Sequence, residues 1–447
     1  MSRKTASRFV YAIGGDSGTV AGAYDTVEFA SVDLFGTISP FAISPNKLRA
    51  PRTLGGTATI GRYVYYVGGN SGGNASAAVE RALILSPKET PIIADLDFAL
   101  VSMGLAPGEY RYRVSAVFAA NDSDNPDGES LASDAFTVRV PAFTGRGINV
   151  SLTWRAPVDS LGAPLPNVVG YRVYRSPVGG LPGTETLIGS TTGARSFIDD
   201  GSATASMQKP VPLGSTGAWA QLPNLGSQRE GLAIAWAEDP TTAGTFYLYA
   251  IGGRQNTSTA LRTYEYLTIT TNANGQQTVG AAWIAGGTNQ LAVARWLHGA
   301  WVADNTVATI YPAGSKFVFA GGGQTAAGGS QTTVEAAQVL AGGALGPWND
   351  SGVRDFGASS SGYGVAAANG SLYTFGGQNG GPSVGSKAAV LSTPPALASG
   401  AWNDEGLAMT HGRFLLGSAV QSAFIFLIGG QTDEPSLASK TTEMVIW

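Results

Sequence analysis

Cysteine is absent from this 447-residue chain, which removes disulfides, thiolate metal ligands and cysteine nucleophiles from consideration. Histidine is nearly absent: His298 and His411 are the two in the sequence. Charge is sparse, with 13% of residues charged and a formal net charge of -4. No basic tract is present that could release counterions from a nucleic-acid backbone, so nucleic acid is not expected as a partner. No run approaches the roughly 20 apolar residues of a membrane-spanning helix, so membrane insertion is not expected either. The opening MSRKTASRFVYAIGG has a basic start but an apolar stretch too short for a secretory leader.

Glycine, by contrast, is abundant, with 62 residues. That composition suits many short strands joined by tight turns, and the chain is expected to be all-β. Six aromatic and aliphatic runs end in paired glycines: Phe9 to Gly15, Tyr63 to Gly69, Phe246 to Gly253, Phe317 to Gly323, Leu372 to Gly377 and Phe424 to Gly430. The intervals between them are similar except from Gly69 to Gly253, which must hold an insertion.

A four-part unit surrounds each glycine pair. A small-residue strand precedes the run, and a third strand follows, such as TVEFASV (Thr26 to Val32), AVERALIL (Ala78 to Leu85) or TVEAAQVL (Thr333 to Leu340). The fourth part opens on an aromatic after a turn, at Phe41, Trp219, Trp283, Trp348 and Trp402. Units of four short strands stack on neighbours because none buries both faces alone. The pattern resembles the kelch-like repeats, and the resemblance implies a six-bladed β-propeller built from residues 1–86 and 209–447. In that fold the paired glycines turn where blades crowd together, and the tryptophans wedge between sheets. The first repeat starts at its second strand and the last stops at its third, so the terminal blade is expected to be completed by Met1 to Arg8 or left with an open edge.

Residues 87–208 follow another pattern. YRYRVSAVFAA, SDAFTVRV, INVSLTWRAP and VVGYRVYRSP alternate apolar and polar positions between Gly, Pro and Asp turns, with Trp154 placed as a core aromatic. This segment resembles a fibronectin type III domain in permuted order, with the YRYRVSA half ahead of the LTW half. The resemblance implies an inserted β-sandwich.

Arginines recur ahead of the first strands: Arg52, Arg229, Arg295, Arg354 and Arg413, the last three evenly spaced. Equivalent places in successive blades lie on one ring. These side chains are therefore candidate binding residues, a cationic collar for an anionic glycan or acidic loop. The competing role pairs each arginine with a nearby acid such as Glu230 or Asp355, or with strand carbonyls. The two histidines are expected to be structural, and the missing cysteine excludes a copper site of the galactose oxidase kind. No GxSxG elbow, phosphate loop, sialidase-type Asp box or distinct acid pair is found, so no enzyme, no metal and no cofactor are expected.

Both resembled folds are recognition scaffolds. The expectation for function is a virion protein of a bacteriophage, a structural, decoration or fibre component assembled in the host cytoplasm. Its expected partners are other virion proteins or copies of itself, with host surface glycans as ligand. The alternatives are a bacterial surface adhesin and a carbohydrate-active propeller enzyme.

Overall fold

The computed structural model describes residues 8–18, 22–204, 206–304, 314–349, 355–358, 360–368, 370–378, 387–391, 402–432 and 438–446, with backbone alone at 387–391 and 403–408. Every regular element among them is a β-strand, and neighbouring strands pair antiparallel. The chain forms two compact units, one of residues 1–42, 48–81 and 221–447, the other of 43–47 and 82–220.

The first unit contains six sheets that repeat one motif. Each contains an apolar run preceding paired glycines: Arg8–Ile13, Tyr63–Val67, Thr245–Ile251, Lys316–Gly321, Ser371–Phe375 and Phe424–Ile428. Five of these runs pair on one side with a small-residue strand, Gly56–Ile60, Ala233–Glu238, Gly299–Asp304, Gly364–Ala368 or Gly417–Gln421. On the other side stands a strand carrying a glutamate in four cases: Val79–Leu83, Tyr264–Thr271, Val334–Gln338 and Thr442–Ile446. Fourth strands follow the aromatics anticipated from sequence, for instance Ala220–Leu222 after Trp219 and Ile284–Ala285 after Trp283.

The central runs are apolar at nearly every position because both faces of each sheet are covered. All five residues of Tyr63–Val67 are buried. Tyr249, Tyr264 and Ile251 pack against Ala300, Val318 and Ala320 of the next sheet, whose Trp301, Phe319 and Val334 pack in turn on Phe356, Tyr363 and Leu372. Ala366 and Phe375 meet Leu416, Ile425 and Leu427. Phe424 and Phe426 of the last sheet share a cluster with Val10, Ala30 and Val32 of the first. Small residues on the inner strands permit this closeness: a Cβ on Gly56 would lie 2.0 Å from Ile234 Cγ1.

The second unit has two sheets around one core. Phe136–Val140, Gly108–Phe118, Val168–Arg175 and Thr186–Thr192 form one; Ser196–Asp199, Gly147–Arg155 and Ile92–Val101 form the other. Alternation along Gly147–Arg155 buries Ile148, Val150, Leu152 and Trp154 against Tyr112, Val114, Tyr171 and Val173. Trp154 meets Tyr171 edge-on at 5.3 Å between ring centres. This unit reaches beyond the insertion limits drawn from sequence: Asn46 Nδ2 donates to Thr216 O at 2.7 Å, and Ala218 N donates to Asn125 Oδ1.

Candidate functional site

Arg52, Arg229, Arg295 and Arg413 are at most 1% exposed. Each makes the same clasp. Nη1 donates to the carbonyl of the first glycine of its sheet's pair, Gly68, Gly252, Gly322 or Gly429, at 2.8–3.1 Å. It also donates to a carbonyl just ahead of the third strand, at Ala78, Thr263, Thr333 or Thr441. Nη2 meets the third-strand carboxylate, Glu80, Glu265, Glu335 or Glu443. Burial pulls the Arg229 pKa below its ordinary value while Glu265 acts to raise it.

The clasps also join one sheet to the next. The carbonyl of Arg52 accepts from Gly15 N, that of Arg229 from Gly69 N, that of Arg295 from Gly253 N and that of Arg413 from Gly377 N, all at 2.8–2.9 Å. Gly69 takes φ +97, and a Cβ there would lie 2.6 Å from Thr53 O, so glycine is required by both conformation and space. In a fifth sheet the accepting carbonyl is that of Ser360, bonded by Gly323 N at 2.7 Å. Arg354, placed in the ring by its spacing, lies outside the described residues, and Ser360 takes that place in the backbone network.

These guanidiniums therefore do not form an open collar: all their terminal nitrogens are committed to carbonyls, hydroxyls and carboxylates inside the protein. The acids that engage them are third-strand glutamates, and Glu230, a partner anticipated from sequence proximity, pairs instead with Arg254 at 2.5 Å.

The residues one position along from the clasp form a second repeating set. The residue after each clasp position pairs, through two backbone hydrogen bonds, with the residue after each glycine pair: Thr53 with Asn70, Glu230 with Arg254, Trp296 with Gln324 and Ser361 with Gln378. Phe414 is likewise in register with Gln431. Glu230 and Ser361 are buried and the other eight are half-buried.

Side chains then reach from one pair to the next. Asn70 Nδ2 donates to the Glu230 carboxylate. The Arg254 guanidinium lies 3.5 Å from the centre of the Trp296 ring, and Gln324 Nε2 donates to Ser361 Oγ at 3.0 Å. Main-chain bonds follow the same order, from Gly231 N to Leu54 O, Leu297 N to Gly231 O, Gly362 N to Leu297 O and Leu415 N to Gly362 O.

The result is a row of amides, a guanidinium and flat aromatic groups held at fixed spacing by backbone ladders. Amides offer donors and acceptors together, and aromatic rings offer an apolar face. This mixture matches a ligand with closely spaced hydroxyls and a C–H face. It supplies no nucleophile and base within reach of each other. Among the described residues no three acidic or histidine side chains stand close enough to hold a metal ion.

His298 is buried, and neither ring nitrogen has a hydrogen-bond partner among the described residues. His411 is exposed. In the second unit, buried Glu129 accepts from Ser115, Arg172 and Tyr174, and Asp199 accepts from Tyr112 at 2.6 Å and from Arg175.

No family model matches the chain, and no curated protein does. A solved structure titled "Structure of YjhT" is similar over 89% of this chain and 96% of its own, at 10% identity and a TM-score of 0.36. A likeness that loose carries no argument here.

Sequence reasoning missed the paired row because it stopped at the arginines and the glycines. The signal was available one residue later: IGGD, VGGN, IGGR, GGGQ, FGGQ and IGGQ place a polar residue after every glycine pair.

Proposed function

We propose that this chain is a non-enzymatic recognition protein, a six-bladed kelch-like β-propeller with an inserted fibronectin type III-like sandwich. In this reading it serves as a structural, decoration or fibre protein of a bacteriophage virion and holds a host surface glycan on the row of paired residues. The observation that carries the binding role is the repetition of the row. Five sheets place a polar or aromatic side chain at the same two backbone positions, Thr53 and Asn70 through to Phe414 and Gln431, eight of the ten half-buried. Weak hydrogen bonds repeated along a rigid frame suit a repeating saccharide, since little conformational freedom is lost on binding.

Six sheets with one motif, and the packing of the first sheet on the last through Val10 and Phe426, support a propeller. The alternating core strands around Trp154 support the sandwich. An assembly role draws support from an apolar surface on the first and last sheets. Leu34 is 75% exposed, Phe35 82% and Ile446 64%, and a Cβ on Gly36 between these elements would lie 2.5 Å from Met444 Sδ. Such surfaces mark contacts with other proteins or further copies.

The test is native mass measurement together with a glycan array. The reading expects a complex with other virion proteins or copies of itself, and glycan binding that weakens when Gln324 and Gln378 are both replaced by Ala. A free monomer that cleaves a polysaccharide would overturn it.

A further inference from the structure

Arg254 differs from the clasp arginines in one respect that bears on ligand choice. Its Nε is committed to Glu230 Oε1 at 2.5 Å, and its plane rests on Trp296. Glu230 is itself fixed from its other oxygen by Asn70. The terminal nitrogens of Arg254 make no hydrogen bond to the described residues, and the side chain is 21% exposed. A guanidinium gripped by Nε and by one face keeps its two-pronged outer edge free, at a fixed angle. That edge matches the two oxygens of a planar carboxylate.

Neighbouring groups fix what surrounds such a carboxylate. Asn70 stands on one side and Trp296 with Gln324 on the other, all within the paired row. Glu230 lies on the Nε side, where it orients the fork without occupying it. The other four pairs offer uncharged side chains only: Thr53 with Asn70, Trp296 with Gln324, Ser361 with Gln378 and Phe414 with Gln431. Among these five pairs, charge therefore stands at one place, where Glu230 and Arg254 face each other, and Asp16 after the glycine pair of the first sheet is an exposed carboxylate.

We infer that Arg254 is a carboxylate-binding subsite, and that the glycan held by the row is acidic, a uronate-bearing saccharide with one carboxylate seated on the free edge of the guanidinium. This rests on the glycan-binding reading above. The charge anticipated for a collar of five arginines is thereby supplied by a single one that sequence spacing did not single out.

The experiment compares binding of a polygalacturonate oligosaccharide and its carboxyl-reduced, neutral counterpart to the full chain and to Arg254→Ala and Arg254→Lys. Thermal melting checks that each variant is folded. The expected result is at least a tenfold preference of the unaltered protein for the acidic form. Arg254→Ala should abolish that preference, bringing the affinities for the acidic and neutral forms to within a factor of two of each other, and Arg254→Lys should keep only part of it, because a point charge cannot make two parallel bonds.

Equal binding of both forms by the unaltered protein, or a preference that survives Arg254→Ala, overturns the subsite and leaves glycan binding standing. Binding of neither form overturns both. A parallel arm with a polyglutamate peptide, if it alone binds and depends on Arg254, assigns the fork to acidic protein and overturns the saccharide.

Discussion

The carbonyl of Ser360 accepts the hydrogen bond of Gly323 N at 2.7 Å, the place held elsewhere by an arginine carbonyl. Two residues on, Gly362 takes φ +63, as Leu54, Gly231, Leu297 and Leu415 do two residues after their arginines. The backbone link between sheets thus exists without the guanidinium, whose side chain ties together its own sheet.

Arg295→Ala should therefore act on stability. It strips donors from Gly322 O and Thr333 O and leaves Glu335 buried without its cation. A loss of about 3–5 kcal/mol is expected, as for breaking one side of a buried ion pair. Urea unfolding measures it, and saccharide affinity of the folded fraction should stay the same. A stable variant that no longer binds would restore the open-collar role.

His298→Leu should stabilise the protein. The equivalent place, three residues after the arginine, is Leu232 in one sheet and Leu416 in another, whereas the imidazole buries two polar nitrogens with no partner among the described residues. Relief of about 1–3 kcal/mol is expected. Burial first, then Arg295 and Arg229, hold the His298 pKa well below 6.5 in the folded chain. The unfolded chain takes up that proton below about pH 6.5 and the folded chain does not, so stability falls as pH drops through this value. The leucine variant should show a shallower acid slope in denaturation midpoints between pH 7 and 5.

Two glycines with positive φ should separate conformation from space. Gly287, at φ +65, has no neighbouring atom within 4 Å of a built Cβ, so Gly287→Ala should cost only about 1–2 kcal/mol for the left-handed backbone. Gly69→Ala adds a clash with Thr53 O and Gly55 Cα to the same penalty, and its thermal midpoint should drop clearly further. Equal midpoints would show that the sheets yield at this contact.

Asp95 and Asp97 should guard an exposed strand edge. Ile148 O accepts from Leu105 N, so Ile148 directs its backbone groups away from its paired partner Leu100. By alternation, Leu96 N and Phe98 N then point to the open edge of Ile92–Val101. The preceding aspartates fold over to accept them, at 2.9 and 2.8 Å. Replacing both with Val uncovers an edge that already carries exposed Phe98 and Leu100. Concentration-dependent self-association, read by light scattering after size exclusion, is the expected result; a mass equal to the unaltered protein's at every concentration argues against the guard.

The strands were legible because their composition is driven by burial on both faces: YVYYV, FYLYAI and FIFLI have no room for a polar residue. The aromatics that open the fourth strands were legible for the same reason. The arginines were visible as a recurrence, but their depth was not. A guanidinium can be inside only if an acid waits there, and the acids lie 28 to 40 residues further on, Glu80 for Arg52 and Glu335 for Arg295. Proximity in sequence suggested Glu230 instead. Even spacing singled out Arg354, which lies outside the described residues, and only the hydrogen-bond pattern shows that the Ser360 carbonyl takes the place of an arginine carbonyl. The reach of the second unit to residues 43–47 depends on Asn46 meeting Thr216, a contact no local pattern announces.

Of the four main-chain links between left-handed positions, three join stretches close along the chain, and the fourth, Gly231 N to Leu54 O, reaches across the entire insertion. The entropy of closing a loop grows only with the logarithm of its length. Here the loop's ends are already brought together by Leu85 N to Ser215 O and Gly217 N to Leu83 O. To the ladder, a segment of more than a hundred residues behaves as a short tether. This point in the chain thus works as a socket, where the length of what is inserted matters less to the register of the paired row than the separation of its two ends.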